Sequence, residues 1–519
     1  MTGIPTVRGH YRAIEDSRAR LYRENGWYSM RPVEETVRRA ASKFPGHVAV
    51  VWEDRRITYR ELQEMVTSLA AGFAAAGLTA GRRVGIRMDN RPELIVALLA
   101  AMHSRCVPIP IMPTLGNREV SHVLEVANAA ALLEPPAHRR ARDGSRYLGP
   151  VAGYECAVTR DGVRFRQVRT GTERPSEEEL GSIAVMLLSS GTTGPPKLIP
   201  REHAPFGYMI RRARELSGFD EDTTYLAALP ATHGFTLDCP GVLGTLHSGG
   251  TVVLGDHRNP SRSLDLLTTE GVTHTTVVPA VAQQWLARSA EFGAPALRLV
   301  QIGGARPDVA LVRRLESASG AFVQQVYGMS EGLLCFTSPD DSVETRHRTQ
   351  GRPASPGDEV LVDRDGELLT RGPYTVAGYF DDPEADAKAF TPDGFYRTGD
   401  LATIDDSGAV TITGRVGDVI NRGGEKVSPE ELEDALRDRP GIDDVAVVGK
   451  PDPAYGEVVA VFVVCPEWSK PPLPEIRRYL RELGFAGFKL PEEIRYPVEI
   501  PKIGIGKIDR RRLRSMVEG

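Results

Sequence analysis

Cysteine is scarce in this sequence, and the few cysteines form no recognisable pattern. Five of them stand in 519 residues, widely spaced and without a CxxC pair. An odd, scattered set argues against a disulfide framework and against a structural zinc site. The cysteine content therefore predicts a protein of a reducing compartment.

Long apolar runs are also missing. The longest, LIVALLAAM at residues 94–102, has about half the length that a membrane-spanning helix needs. Near the N-terminus, Arg8, His10, Arg12 and Glu15 stand where a signal peptide would need an apolar stretch. We therefore expect a soluble, cytoplasmic protein without a membrane partner.

Neither sign of charge dominates the composition. Lys and Arg number 64 and Asp and Glu number 69, which gives a net charge of −5. This balance argues against a general nucleic-acid-binding protein. Glycine, by contrast, is abundant at 52 residues, so many tight turns are expected. A chain of 519 residues is too long for one compact core, which predicts two or three domains.

The order of apolar segments predicts the fold class. From about residue 50 to 330, short apolar segments such as VAVVW and RVGIRM alternate with helical stretches such as YRELQEMVTSLAAGFAAAG. This alternation is typical of a parallel-rich sheet covered by helices. The polar stretch at 138–181 predicts short strands and surface loops. We therefore expect an α/β protein with a large N-terminal domain.

Past residue 350 the pattern changes to short strands separated by turns. Asp-Gly and Ser-Gly turns in VLVDRDGELLTRG and LATIDDSGAVTITG predict hairpins, hence a β-rich subdomain. Further on, SPEELEDALRD predicts a helix in which Ser428 and Glu431 form a capping box. The boundaries that we predict are a large domain at 1–417 and a small, mobile α/β domain at 418–519.

The stretch SSGTTGPPK, residues 189–197, has the composition of a phosphate-binding loop without the Walker A spacing. Gly191 and Gly194 are separated by two residues, and Lys197 is followed by Leu198 where Walker A needs Ser or Thr. Hydroxyls and glycine N–H groups can still wrap a polyphosphate, with the lysine adding charge. An ordinary turn between a strand and a helix is the alternative.

Five motifs in a fixed order narrow the interpretation. They are SSGTTGPPK, YGMSEG at 327–332, YRTGDL at 396–401, GRVGDVINRGGEK at 414–426 and PKIGIGK at 501–507. Together they resemble the adenylate-forming superfamily of acyl-CoA ligases, luciferases and peptide-synthetase adenylation domains. The stretches RLYRENGWY, QIGGARPD, QQVYGMSEGLL and INRGGEKVSPEELE are similar, more narrowly, to stand-alone aryl-acid adenylating enzymes such as 2,3-dihydroxybenzoate-AMP ligase.

The resemblance implies ATP and Mg²⁺, a free aromatic carboxylic acid as substrate and a carrier-protein thiol as acceptor. Activating a carboxylate at a phosphate joins two anions, so a cation is needed at the reacting groups. The resemblance assigns that role to Lys507, Mg²⁺ binding to Glu331, and the ribose hydroxyls to Asp400 with the help of Arg415. The remaining positions that it implies for ATP binding are Ser190, Gly191, Thr192, Thr193, Gly194, Lys197, Gly303, Gly304, Ala305, Tyr327 and Gly328.

The same resemblance places the aromatic acid beside His233, Gly234, Cys239 and Leu334. His233 either borders this pocket or is a structural histidine. Dihydroxybenzoate enzymes carry Asn at the position of Gly234 and amino-acid-activating domains carry Asp, so glycine here disfavours an α-amino acid and predicts a wider, less polar pocket. We expect an acid with an ortho hydroxyl or ring nitrogen, bicyclic acids included. An inward-facing Asp238 would favour a ring amine or hydroxyl donor, and its direction is left open.

A second half-reaction is implied by the C-terminal motifs. The resemblance makes Asp418 the hinge of the small domain, and Gly423, Gly424 and Lys426 the loop that faces the site during thioester formation. The sequence ends twelve residues after Lys507 without a phosphopantetheine attachment motif. We therefore expect an aryl or peptidyl carrier protein to be supplied in trans.

Two other functions stay open. An aryl-CoA or acyl-CoA ligase would share the first half-reaction and pass the acyl group to free coenzyme A. A catalytically dead interaction module would have lost the charged residues of the site, and Glu331, Asp400, Arg415 and Lys507 are all present.

Overall fold

A computed structural model describes most of the chain, which forms a large N-terminal domain and a small C-terminal domain. The described residues are 7–8, 11–12, 14, 16–29, 31–134, 154–159, 162–167, 182–189, 196–256, 258–422, 425–452, 455–503 and 506–518. The predicted class, α/β with a β-rich subdomain and a small C-terminal α/β domain, is confirmed.

In the described part of the chain, the largest sheet has nine strands, and its six central strands run parallel. In spatial order the strands are Arg352–Pro353, Leu334–Phe336, Phe322–Gly328, Leu299–Gly303, His274–Val277, Thr224–Ala227, Thr251–Leu254, Val48–Trp52 and Arg55–Thr58. The sheet separates two apolar cores, because Val252 and Leu254 face one core and Val253 faces the other. Such two-sided burial explains why the central strands read as continuous apolar runs.

A second sheet contains the strands Val107–Ile111, Arg83–Arg87, Ala131–Glu134, Tyr154–Thr159 and Gly162–Gln167, the first four of them parallel. Its last two strands fall within the polar stretch at 138–181, where short strands were expected.

The strand Ile183–Leu188 turns back and pairs antiparallel with Leu198–Glu202. The stretch at 189–197 therefore joins two strands of a hairpin, and the alternative of a turn between a strand and a helix is wrong. The reason is that the two apolar strands pair with each other, and the helix His203–Leu216 begins only after the second strand.

Helices pack around these sheets. In the large domain they are Asp16–Glu24, Val33–Lys43, Tyr59–Ala75, Pro92–His103, Asn117–Val126, His203–Leu216, Gly234–Leu237, Gly241–Ser248, Pro260–Thr269, Pro279–Arg288, Val309–Ser319, Val343–Arg348 and Pro383–Ala389. The apolar run at 94–102 is entirely buried within Pro92–His103. Among the helices of the described residues, none is long and apolar enough to cross a bilayer.

The hairpins predicted after residue 350 are confirmed. The strands Glu359–Val362, Glu367–Arg371, Tyr396–Ile404 and Val410–Arg415 form an antiparallel sheet in that order. A short strand pair, Val7–Arg8 with Tyr11–Arg12, lies near the N-terminus. The four cysteines whose side chains the structure describes, Cys106, Cys239, Cys335 and Cys465, are free.

The small domain has its own sheet and core. Its strands are Glu425–Val427, Ile420–Arg422, Gly456–Val464 and Asp444–Asp452 in spatial order, with Glu493–Arg495 parallel to the third. The helices Pro429–Arg437, Leu473–Glu482 and Arg510–Glu518, the 3₁₀ turns Val416–Asp418, Glu467–Ser469 and Gly487–Lys489, and the hairpin of Lys502–Ile503 with Lys507–Ile508 complete this region.

The helix Pro429–Arg437 begins where the sequence predicts, but the predicted capping box does not form. The Ser428 hydroxyl instead donates to the Thr413 carbonyl oxygen at 3.1 Å. Glu431 instead accepts hydrogen bonds from the Lys489 ammonium. Long-range partners thus replace the local pair.

Candidate active site

Lys507 is the point at which the small domain enters the site. It lies on the hairpin of Lys502–Ile503 with Lys507–Ile508. Desolvation and the charge of Arg415 lower the pKa of its ammonium, whereas Asp400 and Glu331 raise it. These groups are therefore within electrostatic reach of one another, although up to 176 positions separate them in the sequence, the difference between 507 and 331.

Two contacts hold the small domain against the large one in this orientation. Gly506 has a φ of 107°, and a Cβ at this position would lie 2.9 Å from the Ala280 Cβ, so glycine permits the close approach. Arg306 of the large domain pairs with Asp434 of the helix Pro429–Arg437 at 3.0 Å. This orientation is the one that brings Lys507 to the large domain.

Asp400 and Arg415 form a fixed pair at the edge of the antiparallel sheet. They lie opposite each other in register, and the Arg415 Nε donates to Asp400 Oδ1 at 2.6 Å. The Tyr327 hydroxyl donates to Oδ2 at 2.7 Å. The charge of Asp400 raises the pKa of Arg415, so the guanidinium stays protonated. Because each carboxylate oxygen has a second lone pair, Asp400 can still accept hydrogen bonds from a bound diol.

Glu331 is buried, and two tyrosines that the sequence motifs did not single out surround it. The Tyr379 hydroxyl donates to Glu331 Oε1 at 3.0 Å and lies 3.3 Å from the Tyr396 hydroxyl. Tyr396 was visible as the first residue of YRTGDL, whereas nothing local distinguished Tyr379. Hydroxyl donors orient the carboxylate without neutralising it, so Glu331 keeps its negative charge available for a cation.

A third unpredicted residue, Arg201, is almost completely buried at 1% exposure. Its Nη1 donates to the Ser330 carbonyl oxygen at 2.8 Å, which fixes the turn that carries Glu331. An arginine inside the apolar strand pattern LIPRE was the signal that could have identified it. Burial lowers the pKa of this guanidinium, while Asp238 and Glu331 act in the opposite direction.

The proposed phosphate loop is closed by backbone pairing at its base. The Ser189 N–H donates to the Lys197 carbonyl oxygen at 3.0 Å, and the Lys197 N–H donates to Ser189 Oγ at 3.0 Å. The Lys197 ammonium lies 4.6 Å from the centroid of the Tyr379 ring, which places it near Glu331. Ser190, Gly191, Thr192, Thr193 and Gly194 lie outside the described residues.

Bare backbone lines the carboxyl ends of two neighbouring parallel strands. A Cβ on Gly303 would lie 2.5 Å from the Val326 carbonyl oxygen, and Gly304 has a φ of 77°. A Cβ on Gly328 would lie 2.5 Å from the Leu334 side chain, which is itself buried. Ala305 and Gly328 are exposed and Tyr327 is partly exposed. A crevice at strand ends is the usual position for a ligand in such sheets.

His233 fits both interpretations that the sequence left open. Its Nδ1 accepts a hydrogen bond from the Phe235 N–H at 3.2 Å, which caps the short helix Gly234–Leu237. Burial, and secondarily the charge of Lys507, lowers its pKa to about 4. The imidazole is therefore a neutral structural cap that also borders the site near Lys507.

Asp238 points towards Gly234. It is buried at 3% exposure, and a Cβ on Gly234 would lie 3.7 Å from each of its carboxylate oxygens. Cys239 is buried beside it, and burial raises the pKa of the Cys239 thiol. The direction that the sequence left open is thus the inward one.

Asp418 lies in the turn Val416–Asp418, between the two domains, as the predicted hinge requires. Its carboxylate accepts from Arg510 Nε at 3.1 Å and from Arg514 Nη2 at 3.5 Å. Gly423 and Gly424 lie outside the described residues, as does the side chain of Lys426.

Comparisons with known proteins agree with this geometry. The AMP-binding enzyme family matches residues 37–380, and the AMP-binding enzyme C-terminal domain matches residues 431–507. A salicylyl-CoA synthase / salicylate adenylyltransferase of Streptomyces sp is 39% identical over 529 residues, with 96% of each chain covered. The 2,3-dihydroxybenzoate-AMP ligase of Bacillus subtilis (strain 168) is 36% identical, covering 97% of this chain and 96% of that protein.

The fold is likewise shared with a solved structure of a full-length relative. The apo structure of Mycobacterium smegmatis MbtA superposes with a TM-score of 0.69 at 33% identity, covering 98% of each chain. The resemblance stated from the five motifs is thereby confirmed. This chain belongs to the AMP-binding enzymes, the adenylate-forming ligases, and its relatives there include aryl-acid adenylating enzymes.

Proposed function

We propose that this chain activates an aromatic carboxylic acid with ATP and then passes the aryl group to a carrier-protein thiol. A carboxylate oxygen attacks the α-phosphorus, a P–O bond forms, and pyrophosphate leaves. The thiol of a phosphopantetheine group supplied in trans then attacks the acyl carbon, and AMP leaves. The observation that carries the proposal is the approach of Lys507 to Asp400, Arg415 and Glu331.

Each charged group has a task that its contacts support. Lys507 offsets the charge that builds up between carboxylate and α-phosphate. Asp400, held by Arg415 and Tyr327, accepts hydrogen bonds from the ribose hydroxyls. Lys197 and the loop that it closes hold the polyphosphate. The glycine-lined strand ends, with Tyr327, take the adenine, since a flat base needs a surface free of side chains.

Mg²⁺ suits the donor set of the site. In the part of the chain that the structure describes, no three His, Cys, Asp or Glu side chains gather as a metal site. Mg²⁺ commonly takes only one or two protein carboxylates and fills its shell with phosphate oxygens and waters. Glu331 would hold the ion, which when bound neutralises phosphate charge.

The second half-reaction requires the small domain to move, because Lys507 occupies the side of the site from which a thiol would enter. We place the boundary between residues 417 and 418, with Asp418 as the hinge and Gly423, Gly424 and Lys426 as the loop that replaces Lys507. Free coenzyme A is the alternative acceptor, and the name of the Streptomyces relative includes both a CoA synthase and an adenylyltransferase.

The test is acid-dependent exchange of pyrophosphate into ATP over a panel of aromatic and aliphatic acids. We expect exchange with aromatic acids alone, and loss of exchange when Mg²⁺ is removed. Thioester formation on a carrier protein is then compared with formation on free coenzyme A. Exchange supported only by aliphatic or α-amino acids would reject the proposal, and a higher kcat/KM for coenzyme A would favour the alternative.

A further inference from the structure

We infer that Asp238 selects the ring substituent of the acid, by accepting a hydrogen bond from a ring hydroxyl or amino group in the space that Gly234 leaves open. This inference rests on the proposed function, because it concerns the substrate pocket of the same site. It names a chemical class: aromatic acids that carry a hydrogen-bond donor on the ring.

The space beside Gly234 is bounded by the Asp238 carboxylate. The two residues lie on one helical turn, since the Asp238 N–H donates to the Gly234 carbonyl oxygen at 2.9 Å. Around a Cβ built on Gly234, the nearest atoms are both Asp238 carboxylate oxygens at 3.7 Å and Leu187 Cδ1 at 3.9 Å. A group that occupies this space therefore meets a carboxylate on one side and an aliphatic wall on the other.

The carboxylate has hydrogen-bonding capacity to spare. In the described part of the chain, Asp238 Oδ2 is fully buried and has no hydrogen-bond partner. Arg201 acts on it through space, but its described hydrogen bonds go to the Ser330 carbonyl oxygen and the Met209 sulfur. A buried acceptor without a partner is costly. A ligand that supplies a donor removes that cost, whereas a ligand that fills the space with carbon or fluorine leaves it.

The position of Asp238 relative to the reacting groups suits a ring substituent. His233, the residue before Gly234, feels the charge of Lys507, which the proposed function places at the acid carboxylate. Asp238 follows one helical turn later and lies within electrostatic reach of Arg201. The acid carboxylate at Lys507 and a ring donor at Asp238 can thus be held at two ends of one pocket.

The charge state of Asp238 favours a donor over an acceptor on the ligand. Burial raises the pKa of this carboxyl to about 7, while the charge of Arg201 lowers it. A hydrogen bond donated by the ligand stabilises the ionised form further. An ionised carboxylate only accepts hydrogen bonds, so a ring hydroxyl or amino group fits and a ring acceptor in the same place does not.

The inference is tested with benzoic acids that differ in one atom. Hydroxy and fluoro compounds at ring positions 2, 3 and 4 are compared by kcat/KM for pyrophosphate exchange in the wild type, Asp238→Asn and Asp238→Ser. At one ring position, the wild type should prefer the hydroxy compound by about tenfold to a hundredfold, as for a hydrogen bond to a charged group. In both variants that preference should fall at least fivefold, with activity on the matching fluoro compound retained.

A matched control separates selectivity from folding. Asp358 is another carboxyl whose pKa burial raises to about 7, and it accepts hydrogen bonds from Tyr374 and Ser355. Asp358→Asn should leave every hydroxy-to-fluoro ratio unchanged. The inference is overturned if no ring position shows a ratio that depends on Asp238, while exchange with aromatic acids persists. Absence of exchange with any aromatic acid would instead reject the proposed function.

Discussion

At the scale of single residues, the candidate site gathers opposite charges in a space that is largely removed from water. Lys507 loses hydration there and is repelled by Arg415, and only Asp400 and Glu331 compensate. A cation held under such conditions interacts strongly with a transition state that develops negative charge. The first prediction concerns this residue.

Lys507→Ala should lower the rate of pyrophosphate exchange by about 100-fold or more, the usual effect of removing one preorganised charge or donor. Transfer from a supplied aryl-adenylate to the carrier protein should be largely retained, because the small domain rotates Lys507 away for that step. The control is Lys502→Ala, since Lys502 lies on the same hairpin and pairs with Asp444. Loss of both half-reactions together in a folded variant would contradict the role.

Gly234→Asn should narrow the acid pocket. A Cβ at this position makes only ordinary contacts, so the variant should fold, and its amide can occupy the space in front of Asp238. The kcat/KM for 3-hydroxyquinaldate relative to salicylate should fall by about tenfold, a typical steric discrimination. Gly234→Ala, which adds only the Cβ, serves as the control.

The Gly234 argument has two points of failure in the same measurement. A wild type that prefers 2,3-dihydroxybenzoate to salicylate, 3-hydroxypicolinate and 3-hydroxyquinaldate would contradict the wider pocket. An unchanged ratio in Gly234→Asn would show that the ring lies elsewhere.

At the scale of elements, the connection between the domains and the start of one helix have testable consequences. The turn Val416–Asp418 is tied to the last helix through Arg510 and Arg514. The helix Val33–Lys43 begins with a buried carboxyl, Glu34. The first feature concerns motion and the second concerns stability.

Asp418→Pro should trap one orientation of the small domain, because proline fixes φ where a hinge must change it. Thioester formation should fall more than adenylation. The substitution also removes the ion pairs with Arg510 and Arg514, so Asp418→Ala is the control that removes them without fixing φ. The hinge assignment fails if both half-reactions fall equally in Asp418→Pro, or if Asp418→Ala has the same selective effect.

Glu34→Gln should stabilise the protein increasingly as the pH rises. Burial raises the pKa of Glu34 from 4.5 to about 7, and burial lowers that of the neighbouring His203 to about 4. The folded protein therefore favours protonated Glu34, a contribution fully present below about pH 4.5 and lost as the pH rises through about 7.

The difference in unfolding free energy between Glu34→Gln and the wild type should thus increase from pH 5 to pH 8, by on the order of 1–3 kcal/mol. Thermal unfolding at both pH values measures it. Glu35→Gln is the control, because Glu35 is only partly buried and pairs with Arg38. A difference that is constant or that decreases with pH would contradict the raised pKa.

At the scale of the whole molecule, the ion pair between Arg306 and Asp434 should bias the orientation of the two domains. Both partners are about one-third to two-fifths exposed, so the pair is weak. Arg306→Glu should slow adenylation by about two- to fivefold, the size of an exposed ion pair, without slowing transfer from a supplied adenylate.

The charge-swapped variant Arg306→Glu with Asp434→Lys should recover part of the adenylation rate. Arg437→Ala is the matched control, since Arg437 pairs with Asp434 inside the small domain. No recovery in the swapped variant, or an equal effect of Arg437→Ala, would show that this contact does not bias the orientation.

The sequence by itself determined the class of the fold and the chemical family. Periodic apolar segments predicted the parallel-rich sheets, Asp-Gly and Ser-Gly turns predicted the hairpins, and five ordered motifs predicted an adenylate-forming enzyme. These features are local, because turn geometry and alternation depend on residues that are close in sequence. The same locality explains the errors, since Ser428 and Glu431 had better partners at distant positions.

Only the tertiary structure decided which distant groups meet. It brought Lys507 to Asp400 and Glu331, turned Asp238 towards Gly234, and placed Tyr379 on Glu331. It also paired the strand Ile183–Leu188 with Leu198–Glu202 in an antiparallel hairpin. No local pattern encodes such contacts, because burial and hydrogen bonding between segments far apart in sequence set side-chain direction, strand partner and pKa.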